Sequence, residues 1–110
     1  MTERGDREGS GRVVTVFRSR LRDDHRSEYA EWADRMLDIA RAMPGFVDFK
    51  VFQAEDGERV SVITFDSLDH QRAWRDHPEH RAAQRLGRER FYRSYAIQVG
   101  EIIEERDFPG

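Results

Sequence analysis

The chain contains no cysteine, which removes disulfide bridges, thiolate metal sites and a cysteine nucleophile from consideration. It has few prolines, and no apolar run approaches the ~20 residues that a membrane span requires. The first residues lack the apolar region of a signal peptide, so the cytoplasm is the expected location and no membrane is expected as a partner. Surplus positive charge is missing too. The net charge is −3 with both signs interspersed, which leaves no electrostatic footprint for nucleic acid. Lysine is nearly absent: Lys50 stands alone among arginines, a usage that reads as the coding bias of a GC-rich genome and not as phosphate recognition. No phosphate-cradling glycine loop, dinucleotide fingerprint or Ser-His-Asp pattern occurs.

What is present is enough for one domain and one core in 110 residues. A chain this short buries only roughly two-thirds of the surface that its unfolded form exposes. A hydrophobic share of 37% against 37% charged makes that core thinner. Apolar burial between two copies would supplement it.

Residues 1–12, MTERGDREGSGR, show no apolar periodicity and are expected to be a disordered leader. The domain is expected over 13–105, with a polar tail at 106–110. Val13 to about Leu21 is β-branched and aromatic, a first strand. Asp23 and Asp24 are capping candidates for a helix from about His25 to Met43. Tyr29, Trp32, Ala33, Met36, Ala40 and Met43 form its apolar stripe, and Pro44-Gly45 ends it. Phe46–Gln53 and Arg59–Phe65 read as a hairpin around Asp56-Gly57. Asp66 or Ser67 caps a short helix through Trp74. Pro78 suits the first turn of a further helix from His80 to about Tyr92, where Gly87 marks a close approach or a break. A last strand is expected from Tyr95 to Ile103.

The order is β-α-β-β-α-β, the split arrangement of an α+β ferredoxin-like domain. It implies a four-stranded antiparallel sheet with helices on one face. In the second strand Phe46 and Phe52 share one phase, and Val47, Phe49 and Val51 take the other. The first and third strands also carry apolar residues in both phases. A sheet wetted on one side alternates cleanly, so the bare face calls for a cover. A second copy, giving a homodimer, is the economical one.

The expected ligand cleft lies between sheet and helices, where the second helical region breaks. Trp74 could stack on a flat aromatic ligand or seat its helix on the sheet. His77 and His80 could act as general base or proton shuttle, or be solvated residues at a helix start. As a metal pair they lack a third ligand in any nearby motif, so no metal is expected. Arg18, Ser19 and Arg20 could reach the cleft rim, or be ordinary edge polarity. Tyr92 and Tyr95 could each donate a phenol proton, or simply pack.

The strand VVTVFRSRL, the helix EYAEWADRMLDIARAMPGF, the strand SVITFDS and above all AWRDHPEHRAAQRLGRERFY resemble the antibiotic biosynthesis monooxygenase family. These are dimeric α+β-barrel proteins, and the likeness spans about Val13 to Glu105. Haem-degrading members use an asparagine, a tryptophan and a histidine iron ligand. The tryptophan position is Trp74 here, but the other two read as Ser19 and Gln84, so haem cleavage is not the implied activity. A quinone-forming branch oxidises aromatic polyketides with no metal or flavin. Trp74 again matches, and polar partners in that branch fall near His70 and His80. The resemblance therefore implies a cofactor-independent monooxygenase acting on a small aromatic or polyketide-type substrate. A non-catalytic dimer that binds a small hydrophobic molecule or haem is the alternative.

Overall fold

The β-branched and aromatic runs do form the strands. In this computed structural model, which describes residues 6–8 and 11–109, β1 (Asp6–Glu8) is followed by β2 (Val13–Leu21), α1 (Arg26–Ala42), β3 (Phe46–Gln53) and β4 (Arg59–Phe65). Then come α2 (Leu68–Arg75), α3 (Pro78–Leu86), a π-helical turn (Gly87–Phe91), β5 (Tyr92–Glu101) and β6 (Glu104–Arg106). The main sheet is antiparallel with order β3-β4-β2-β5, the ferredoxin-like arrangement expected from the element order. The segment read as a disordered leader falls mostly outside the described residues. Within it, β1 pairs antiparallel with β6, a backbone interaction that no apolar pattern announces. Among the described residues no helix is long and apolar enough to cross a membrane.

Several boundaries differ from the sequence reading for local reasons. Neither Asp23 nor Asp24 caps α1. The N-cap is His25, in a left-handed conformation at φ 58° without a side-chain cap bond, while Asp23 reaches Arg26 at 3.5 Å. Ser67, not Asp66, caps α2, its Oγ accepting from the His70 N–H. The last strand begins at Tyr92 because the helix before it gives way at Gly87.

Cross-strand pairing decides which residues face the helices. Thr15 pairs with Ile63 and Val99, and Phe17 with Ser61 and Ile97; these share the helix side. Val14, Val16, Val60 and Val62 point to the open side. In β3 the register shifts between Phe46 and Asp48, so Val47 is an extra residue that inverts the phase beyond it. Phe46 pairs with Phe65 and Phe49 with Ile63, both on the helix side, whereas Phe52 pairs with Val60 on the open side. The sequence reading placed Phe49 and Val51 opposite Phe46; the bulge corrects that. Both faces are still apolar, and exposed Phe52 with the four half-buried valines makes up the one that carries no helix.

α1 is pinned at its two ends. At the C-terminal end Ala40 is buried with Ile63, Phe65 and Trp74. Near the N-terminal end Tyr29 meets Phe91 and Tyr92 edge-on, with ring centroids 5.7 and 6.0 Å apart. Arg90–Glu28 at 3.1 Å and the Arg35–Glu79 pair tie the helix to the elements beside it. The middle of the apolar stripe, Trp32, Ala33 and Met36, is only half-buried. It roofs a cavity and does not press on the sheet.

Gly45, at φ 80°, closes α1 onto β3. A Cβ there would run into the Asp66 carboxylate and the His70 ring. Gly45→Ala is therefore expected to cost roughly 1–3 kcal/mol, read as a lower urea midpoint with an unchanged slope.

Candidate active site

Because α1 stands off the sheet between its two anchors, a cavity of about 410 Å³ opens there. Its floor includes Thr15, Phe49, Ser61 and Ile97, and α2 and α3 close one end with Gln71, Trp74, His80 and Gln84. The lining is mostly apolar with a few converging polar groups, the usual character of a small-molecule site.

Trp74 is 4% exposed and packs on Phe65 at 5.4 Å. The same ring seats α2 and lines the cavity. Its indole Nε1 is buried with no hydrogen-bond partner among the described residues. Such an orphan donor costs about 1–3 kcal/mol.

The His80 ring lies against Trp74 with centroids 4.3 Å apart. Its Nδ1 is 3.1 Å from the Arg75 carbonyl. A carbonyl can only accept, so Nδ1 carries the proton, and the neutral ring keeps a lone pair on Nε2. Burial pushes the pKa of His80 below its ordinary value, outweighing the carbonyl contact that raises it. The local sequence builds this corner. Asp76 closes α2, holding Arg75 and Arg81 each at 2.9 Å, and His77-Pro78 starts α3. The turn between the two helices carries the His80 ring back to the Arg75 carbonyl.

Tyr92 lies in an aromatic group with Phe17, Tyr29 and Tyr95. Burial, and then the adjoining Tyr29, push its phenol pKa up, so it remains a proton donor. The π-helical turn makes room for it, since a Cβ on Gly87 would run into the Tyr92 ring. Gln71 donates from Nε2 to Thr15 Oγ1 across 3.4 Å, both residues being buried.

Of the residues singled out from sequence, Trp74, His80, Gln84, Tyr92 and Tyr95 line this one cavity. The others lie elsewhere. His77 caps α3, its Nδ1 accepting from the Glu79 N–H. His70 is bound to Asp66 at 2.6 Å. Arg18 sits on the open side of the sheet, paired with Glu58 at 2.8 Å. Ser19 faces the helices but is buried outside the cavity wall. Sequence reasoning passed over Thr15, Arg59, Ser61 and Gln71. For Gln71 a signal existed, since it lies three residues before Trp74 on the same helix face. Among the described residues no three His, Asp or Glu side chains gather as a metal site.

The chain matches the antibiotic biosynthesis monooxygenase family over residues 12–86. It belongs to that family. It is also 36% identical over 93 residues to the uncharacterized protein YqjZ of Bacillus subtilis (strain 168), covering 84% of this chain and 82% of that one. Among solved structures, Rv0793 from Mycobacterium tuberculosis superposes with a TM-score of 0.74 at 23% identity, over 90% of this chain and 99% of that one. SnoaB, a cofactor-independent oxygenase from Streptomyces nogalater, gives 0.72 at 16% identity, over 91% and 99%. At these identities the two structures establish a shared fold. For this family member the chemistry has to be argued from the cavity.

The state of His80 is directly measurable. Its folded pKa lies below the unfolded one of about 6.5, so the unfolded chain binds the extra proton between those values. This contribution to stability therefore rises with pH through that window and is flat above it. His80→Gln is expected to lose less stability than the unmodified protein when the pH falls from 7 to 5, measured by thermal unfolding at both. An equal loss would place His80 in water.

Proposed function

We propose that this protein is a cofactor-independent oxygenase acting on a small aromatic or polyketide-type substrate, in the cytoplasm. The observation that carries this reading is a neutral, half-buried imidazole against Trp74, in the wall of a largely apolar cavity of about 410 Å³. A substrate such as an anthrone supplies its own electrons. His80 Nε2 removes a proton from the ring CH₂, and the resulting carbanion adds O₂ to give a peroxide. Proton return and loss of water then leave a carbonyl, so CH₂ and O₂ become C=O and H₂O. The Tyr92 phenol, kept protonated in the cavity wall by its raised pKa, is a donor for the enolate oxygen as charge collects there. The apolar walls keep bulk water from competing for that charge.

One observation favours a second reading, non-catalytic capture of a flat ligand, with haem as a case. An imidazole whose Nδ1–H is held by a carbonyl is prepared to offer Nε2 to a metal. Haem would bring an iron centre held through His80. Gln84, at the position that the resemblance assigns to the iron ligand, offers only a neutral amide. A Soret shift that His80→Ala abolishes would favour this reading.

We further propose that a second copy covers the open side of the sheet. Val14, Val16, Val60, Val62 and Phe52 form a continuous apolar patch there, and each large side chain fully buried contributes ~1.5–3 kcal/mol. Sedimentation is expected to show a dimer, and Val62→Asp a monomer. A monomer from the unmodified protein sinks this proposal.

Quinone absorbance on mixing with an anthrone in air tests the oxygenase reading. His80→Gln is expected to lower kcat by about 10²- to 10⁴-fold, the range for losing a general base. No acceleration over buffer across an anthrone panel would refute it.

A further inference from the structure

A second hollow, of about 290 Å³, lies beside the β3–β4 turn and is lined by Arg20, Arg26, Arg59 and Arg93 together with Asp23 and Asp56. Both carboxylates are engaged. Arg20 holds Asp56 at 2.6 Å and Arg26 holds Asp23 at 3.5 Å. Arg59 and Arg93 have no carboxylate partner among the described residues. Arg59 differs from Arg93 in being half-buried and in lining both this hollow and the apolar cavity. Its guanidinium sits over the Tyr29 ring, 5.5 Å from the centroid, a stacking that orients the planar fork.

A partly desolvated cation without a counter-ion, at the edge of an apolar cavity, is unfavourable until an anion arrives. The fork geometry of arginine suits a carboxylate, which it can meet with two parallel N–H···O bonds. The walls on the cavity side are mostly aromatic and aliphatic, so they suit a flat apolar body; Asp34, Arg75 and Arg88 also line the cavity, but all three are exposed, unlike half-buried Arg59. Arg93, exposed and lining the same hollow, adds long-range attraction of the same sign.

We infer that the substrate is an aromatic acid, with its ring system in the cavity against Trp74 and its carboxylate on Arg59. This rests on the reading of the cavity as the substrate site, and it names the class that the site selects. Arg59 is then a specificity residue: it fixes the ring's position relative to His80 without itself moving a proton.

Calorimetric titration of the full-length protein with 2-naphthoate and with the neutral 2-naphthamide tests this without any turnover. The acid is expected to bind about tenfold more tightly, the factor for one charge-assisted pair. Raising the salt concentration should erode that preference while leaving the amide unaffected. Arg59→Gln should abolish the preference and keep amide affinity, and Arg59→Lys should restore part of it. The salt comparison on the unmodified protein decides the matter even if Arg59→Gln does not fold. Equal affinities, a preference that survives in folded Arg59→Gln, or failure of both compounds to bind at millimolar concentration would each overturn the inference. An anthrone panel with no turnover would refute the oxygenase reading and leave an observed acid preference standing. Turnover of neutral anthrones without acid preference would do the reverse.

Discussion

Everything at the site depends on helix α1 being held at both ends and unsupported in between. Ala40 is locked into the Phe65–Trp74 cluster, and Tyr29 is locked into the Phe91–Tyr92 aromatic group. Neither anchor has a counterpart under Trp32 and Met36. Sealed and dry, a hole of about 410 Å³ would cost on the order of 10 kcal/mol at ~24 cal/mol per Å³. That equals the whole stability of an ordinary domain. The cavity therefore persists only because it opens to solvent along β5, where Ile97 and Val99 are 44% and 47% exposed, or because a ligand fills it. An apolar space that is cheap to keep open is favourable to fill, which is the energetic condition a small-molecule site needs.

The same arrangement sets the chemistry. Trp74 cannot be dispensed with structurally, because it carries α2, and its position next to His80 takes the imidazole out of water. Desolvation then keeps the ring neutral near pH 7, the state in which Nε2 can accept a proton. The Arg75 carbonyl works against this shift, but it settles which nitrogen holds the proton. One packing decision, seating α2 through an indole, thus produces the cavity wall, a neutral imidazole and a buried, unsatisfied N–H together.

Much of this was legible in the residues. The strand runs and the β-α-β-β-α-β order follow from local pattern, and Trp74 and His80 stand out in a chain with few histidines. The remainder depends on register and exact turns. His77 and His80 look equivalent on paper, and only the geometry of the α2–α3 corner makes one a cap and the other part of the cavity wall. Arg18 and Arg59 are both strand arginines, and the sheet sends them to opposite faces. The apolar stripe of α1 shows the same periodicity whether it presses on a sheet or roofs a cavity, so periodicity alone could not separate core from site.

The bulge at Val47 shows how much can turn on one residue. A regular strand starting from Phe46 against Phe65 would have turned Asp48, Lys50 and Phe52 toward the helices. Two charges would then have lined the cavity, and Phe49 would have lost its edge-on contact with Trp74 at 6.5 Å. The extra residue instead sends Asp48 and Lys50 to the open side and keeps Phe49 and Val51 on the cavity floor. The low polarity that keeps His80 neutral, and that leaves Arg59 as the half-buried arginine beside the floor, is therefore as much a product of strand register as of composition.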